Sequence, residues 1–143
     1  MSVVIDFQAK KSSKQMIFEK RALRDISVKK IELSIDDHFS DLLLAVYPDS
    51  SVAKDMAAEY ALEAYLCGAA AAPNGLHGDN KAAVRHRCER MLERCCDDFY
   101  SFWRFWLYDF AVSDTLEQTC RHYLDNWWEE GYDNVLKRLK LRL

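Results

Sequence analysis

Apolar residues recur along most of this chain at three- and four-residue spacing, the period of an amphipathic helix. Ile31, Ile35, Phe39, Leu42, Leu43 and Val46 form one such stripe. It predicts a helix capped by Ser27, running to Tyr47 and stopped by Pro48. Upstream, Ser12 or Ser13 can cap a first helix reaching about Ile26. Downstream, Asp49, Ser50 or Ser51 opens an alanine-rich third helix with Val52, Met56, Tyr60, Ala64 and Cys67 along one face.

Three of the four glycines and one of the two prolines fall between positions 68 and 78. This punctuation predicts a central loop over residues 72–80. Beyond it, Asp79 or Asn80 can cap one long fourth helix carrying Val84, Cys88, Met91, Leu92, Cys95, Phe99, Phe102, Trp106 and Phe110. Ser113 or Asp114 starts a fifth, with Glu117 in capping-box position and an apolar stripe of Leu116, Cys120, Tyr123, Leu124 and Trp127. That stripe can continue through Val135, Leu136 and Leu139, with Gly131 a place to end or bend. Only Val3 to Phe7 has strand-like composition, and a lone strand has nothing to pair with. The expectation is an all-α single domain spanning 1–143, a bundle or orthogonal array of about five helices, with residues 1–11 a disordered or extended arm. No repeat of solenoid period is visible.

At 143 residues, half of them hydrophobic, the chain can bury a core without staples. It has no run of about 18 apolar residues, and its start lacks a basic, then apolar, then small-residue leader, so a cytoplasmic location off the membrane is expected. The five cysteines all fall in helical segments, which favours reduced thiols acting as small hydrophobes. The net charge of −3 hides an alternation: residues 1–31 carry +5, residues 32–63 carry −7, and the last seven residues hold four basic groups and no acid. The basic ends could meet the acidic segments across the fold or attract a charged partner. A nucleic-acid role through them is the weaker reading, because the chain as a whole is acidic.

Motifs for chemistry are absent. There is no Gly-x-Ser-x-Gly, no phosphate-binding glycine loop, no His-Glu-x-x-His and no Glu-x-x-His of a di-iron bundle. No cofactor is expected, and the chain leans away from catalysis. If a metal binds, Cys88, Cys95, His86 and His122 are the conceivable ligands, although none forms the close ligand pair usual for zinc. Asp36, Asp37, His38 and Asp41 cluster on the second helix opposite Phe39 and Leu43, as a solvated polar face would. His77 and Asp79 read as an ordinary polar turn.

The most unusual feature is the aromatic run Phe99–Phe110, with the indole pair Trp127-Trp128. Rings all around a helix predict a member buried on more than one side, central to the bundle. Rings left exposed would instead serve a subunit interface, for which Trp103, Arg104, Trp106, Tyr108 and Trp128 are the candidates, or a small-molecule pocket. The functional expectation is therefore a non-enzymatic helical protein acting through protein–protein interaction or self-association, as a possible dimer. A small-ligand or metal-binding bundle is the alternative.

Two segments, Glu19-Lys-Arg-Ala-Leu-Arg-Asp-Ile-Ser27 and Trp127-Trp-Glu-Glu-Gly-Tyr132 with the basic tail Lys137–Leu143, carry a resemblance. They are similar to a family of small cytoplasmic proteins from Bacillus and its relatives, called YbaK there and distinct from the tRNA deacylase of that name. The resemblance implies a bacterial cytoplasmic protein with no established activity, and it assigns no catalytic or binding residue.

Overall fold

The computed structural model describes residues 16–107 and 114–142. These residues are all-helical, with six helices: α1 (16–23), α2 (Val28–Ala45), α3 (Ser50–Leu76), α4 (Lys81–Arg87), α5 (Glu89–Leu107) and α6 (Asp114–Leu141). The arm 1–11, the strand-like Val3–Phe7, the caps Ser12, Ser13 and Ser113, and the ring residues Tyr108 and Phe110 lie outside the described residues.

α2 follows its sequence pattern closely. The Ser27 hydroxyl accepts from the Lys30 amide at 3.0 Å, satisfying one of the orphan donors of the first turn. Ile31, Ile35, Phe39 and Leu43 are buried. A short corner through Pro48 then reverses the chain into α3.

Two expected boundaries move. Most of the anticipated loop over residues 72–80 is helix, because α3 runs on to Leu76 with Pro73 inside its last turns. Ala71 and Ala72 are buried, and Gly75 lies under the Tyr132 ring and Leu136, so packing holds this stretch helical against the local propensity of proline and glycine. The real stop is Gly78, whose φ of +103° is a left-handed conformation that a side chain would strain. Its amide bonds to Gly75 O and that of Asp79 to Asn74 O, both at 3.2 Å, which is the Schellman closure.

The expected long fourth helix is also divided. Asn80 caps α4 by accepting from the Ala83 amide at 2.8 Å, and Cys88 then forms a turn, its amide bonding to Arg85 O at 3.0 Å before α5 begins. This break lets α4 follow α6 with one set of side chains while α5 follows it with another.

The centre of the molecule is the pair α3 and α6. Ala57 O accepts from Tyr123 Oη at 2.7 Å, Gly68 meets the backbone of Trp128 and Tyr132, and Gly75 meets Tyr132 and Leu136. Partner numbers rise together, so the two helices run parallel, in contact over about 20–27 Å at 1.5 Å per residue. The buried residues of α3 are mostly Ala53, Ala57, Ala61, Ala64, Gly68, Ala69, Ala71 and Ala72, while Val52 on the expected stripe is 43% exposed. Only methyls and glycines let two backbones come this close. Gly131, a conceivable helix end, sits mid-helix in α6 because a side chain there would strike the Tyr65 carbonyl.

The other helices flank this pair. α2 runs antiparallel to α6, pairing Lys30 with Glu130 near one end and placing His38 beside His122 and Tyr123 further along. α4 and α5 also run antiparallel to α6, through Arg85–Asp125, Arg121–Glu93 and Cys96 near the Glu117 carbonyl. α1 covers the last turns of α6, where Arg138 pairs with Asp25 and donates to Arg21 O. The aromatic helix is therefore a flank and not the centre. α5 buries the single stripe Leu92, Cys95, Cys96, Phe99, Trp103 and Leu107, half-buries Tyr100, Phe102 and Trp106, and exposes most of the remainder.

Candidate functional site

Because α2 and α5 both oppose α6 while α3 runs with it, one end of the bundle gathers four helix termini. These are the C-terminal ends of α2 and α5 and the N-terminal ends of α3 and α6. Inside, Phe39 stacks on Trp103 at 5.2 Å between centroids and meets Phe99 and Tyr123 edge-on at 5.3 and 5.1 Å; Tyr60 stacks on Phe99 at 4.9 Å. Such pairs add to the burial of their area.

Outside this cluster the same end leaves large apolar side chains in water. Leu44 is 78% exposed, Tyr47 77%, Phe105 65% and Val52 43%. Phe102 and Trp106 are half-buried beside them in sequence, Phe102 lying edge-on to Trp103 at 5.7 Å and Trp106 to Phe105 at 6.0 Å. Arg104 is exposed and holds its guanidinium 5.8 Å from the Tyr100 ring.

The five interface candidates thus separate. Trp103 and Trp128 are fully buried and offer no ring to a partner, which corrects that part of the expectation. Arg104 and Trp106 reach the surface, and Tyr108 is outside the described residues. Leu44, Tyr47 and Phe105 were missed. Tyr47 had a signal, since a large ring directly before a corner proline has little helix left to bury it; Phe105 had none, because a ring-dense segment hides its own exposed face.

Trp128 packs against α3 at Gly68 and is covered on another side by α4. Its ring stacks on Tyr132 at 5.2 Å, and Arg85 and Lys81 lie over the two rings at 6.0 and 5.8 Å. The same two cations pair with the acids of α6: Arg85 with Asp125, and Lys81 with Glu129 at 2.6 Å and Asp133 at 2.9 Å. Burial works to lower the Lys81 pKa, but the hydrogen bonds to Glu129 and Asp133 outweigh it and raise it above the ordinary lysine value. On the α2 side a groove of about 540 Å³ is lined by Lys30, Ser34, Asn126, Trp127, Glu130 and Asn134 among others. Its charges are already matched within the chain, by Lys30–Glu130 across its width.

The four conceivable metal ligands do not converge. Among the described residues no group of three or more His, Cys, Asp or Glu side chains is placed to hold a metal ion together. His86 is exposed and faces Glu89 at 3.1 Å. Cys88 sits in the α4–α5 turn beside Cys67 on α3, and burial, then that neighbouring thiol, push Cys67 up to about 12. Cys95 is buried with its thiol donating to Glu63 Oε2 at 3.8 Å, and burial, then the Glu63 carboxylate, raise it to about 11. Burial likewise raises Cys96 and Cys120. Thiols held protonated are poor nucleophiles and poor ligands. His122, on α6, has its ring centroid 5.8 Å from that of His38 on α2, and not near the other three candidates. Of the polar-turn residues, His77 caps α3 and Asp79 pairs with Arg87 at 2.9 Å. No described helix is long and apolar enough to cross a membrane.

Comparison with known proteins agrees with the resemblance read from residues 19–27 and 127–143. An uncharacterized protein of Bacillus subtilis (strain 168), YbaK, is 25% identical over 146 residues, an alignment covering 100% of this chain and 99% of that one. No solved structure matches. The sequence model of one family, described as a protein of unknown function (DUF2521), matches residues 1–143, and the chain belongs to that family.

Proposed function

We propose that this protein acts by binding and not by catalysis, and that it binds a second copy of itself through the end of the bundle formed by α2, α3 and α5. The observation that carries this reading is the exposure of Leu44, Tyr47 and Phe105 at one end, with Trp106 half-buried beside them. Exposed apolar side chains such as Met16, Ile17, Val28, Leu33 and Leu141 also stand elsewhere, as is normal on a protein surface, but among the described residues the exposed large rings, Tyr47 and Phe105, are both at this end, and exposed aromatic surface is a mark of an interaction site. Aromatic residues and Arg are the types enriched at interface cores, and Arg104 stands in the same segment.

A two-fold pairing suits the composition of this end. It would set the same rings against one another and oppose Arg104 to the acids at the start of α3, Asp49 and Asp55. The chemistry available elsewhere favours the same reading: the buried thiols are held protonated, and the α6 carboxylates are occupied by Lys81, Arg85 and Lys30.

Light scattering over a range of protein concentrations tests the proposal. A mass of two chains that falls to one on dilution, and falls at higher concentration in Phe105→Asp or Tyr47→Asp, supports it. A single-chain mass at every concentration overturns it.

A further inference from the structure

His38 on α2 and His122 on α6 face each other across the helix pair with ring centroids 5.8 Å apart and ring planes 44° apart. They come from segments with no sequence relation, a polar cluster on one helix and an isolated imidazole on another. The His38 Nδ1 lies 2.8 Å from the carbonyl oxygen of Ser34, one turn earlier. A carbonyl only accepts, so Nδ1 carries the proton and Nε2 is left with the lone pair in the neutral ring. A backbone carbonyl holding one ring nitrogen while the other is free is the arrangement by which metal-binding histidines are oriented. The ring is further braced by Tyr123, edge-on at 5.4 Å, and by Phe39 at 6.0 Å. His38 is half-buried, whereas His122 is exposed, so an ion could reach the pair from solvent.

We propose that His38 and His122 form a two-histidine site for a divalent transition-metal ion of the zinc, nickel or copper type, joining α2 to α6. Metal–nitrogen distances of about 2.0–2.1 Å put two imidazole centroids about 5 Å apart on a tetrahedral ion. The observed separation of 5.8 Å lies less than about 1 Å beyond this. Imidazole donors select these ions over calcium and magnesium, which prefer oxygen. With two protein ligands the remaining positions are taken by water, so the ion is exchangeable and removed by chelators, unlike a closed structural zinc. No other described His, Cys, Asp or Glu is placed to make a third ligand.

Calorimetric titration of the chelator-treated full chain with zinc chloride tests the site, with His38→Gln, His122→Gln and a Cys67→Ser, Cys88→Ser double variant alongside. The site predicts one ion per chain, an affinity unchanged in the cysteine variant, and weakening in each histidine variant by more than about tenfold, the least that loss of even an orienting partner costs. When the titration is followed by nitrogen NMR, the His38 Nε2 resonance should move while the Nδ1–H signal persists. Absence of binding, equal affinity in the histidine variants, or loss confined to the cysteine variant overturns the proposal. Because His122 is exposed, His122→Gln keeps the fold and makes its result decisive.

Discussion

Gly68 on α3 and Trp128 on α6 touch through their backbones: a Cβ on Gly68 would stand 2.8 Å from the Trp128 carbonyl carbon and 3.0 Å from the Tyr132 amide nitrogen. Gly131 meets the Tyr65 backbone in the same way from the other side. Backbone cannot rotate aside as a side chain can. Alanine at either position would normally help a helix by about 1 kcal/mol, yet here it must force the two central helices apart. Gly68→Ala and Gly131→Ala should each destabilise by about 1–3 kcal/mol or more, the range of overpacked cores. Urea denaturation measures this, and a raised midpoint in either variant would show that the helices are not in contact there.

Alkaline pH should weaken the fold through its buried acids. Burial raises Cys67 to about 12 and Cys95 to about 11 from an ordinary 9.0, and it raises Cys96, Cys120 and, from 10.0, Tyr123 as well. Each of these groups keeps its proton more firmly folded than unfolded, so its contribution is complete below about pH 9 and is lost as pH rises toward the folded values. The urea midpoint should hold level from pH 7 to 8 and fall above 9. Replacing Cys67 and Cys95 by alanine should shallow that fall, and an equally steep fall in that variant would trace it to other groups.

The α4 lattice should contribute less than its number of ion pairs suggests. Lys81, Glu129 and Asp133 are well exposed, and exposed pairs contribute roughly 0–1 kcal/mol. Arg85 differs, with a side chain 26% exposed that lies over the Trp128 ring as well as pairing with Asp125. Arg85→Ala should therefore cost more than Lys81→Ala, and its effect should persist in high salt because part of it is lost cover for an aromatic ring. Melting temperatures at low and high salt separate the two, and equal, salt-erased effects would count against this account.

Much of the helical framework was legible because its signals are local. Ser27 announces α2 through a hydroxyl that the first turn needs, and the Ile31–Leu43 stripe fixes its buried face. What sequence hid is the α3–α6 contact, since a stripe of alanines and single glycines looks weak beside Val52, Met56 and Tyr60, although smallness is what the central position selects. The same competition misplaced the end of α3, where burial of Ala72 and the fit of Gly75 against Tyr132 overrode Pro73. At the candidate surface, residue type pointed to the right segment of α5 but not to its faces. Those depend on which helices lie beside it, and spatial pairs such as His38 with His122 leave no trace in a single chain's order.

Trp103 and Phe105, two positions apart on α5, should respond to substitution in opposite ways. Trp103 is fully buried between Phe39, Phe99 and Phe102, and truncating it leaves a cavity that neighbours of this size cannot fill. Trp103→Ala should cost about 3–5 kcal/mol, a large part of the roughly 5–15 kcal/mol a domain possesses. Phe105 is 65% exposed, so Phe105→Asp should change stability by about 0.5 kcal/mol or less. The association tells them apart in the other direction. Phe105→Asp places a charge in the contact and should shift the concentration at which the mass halves, whereas Trp103→Ala should act on association only as far as it unfolds the chain. Denaturation and light scattering on the same two variants test both halves together. If Phe105→Asp unfolds the protein while leaving its mass unchanged, the ring belongs to the core and the proposed interface lies elsewhere.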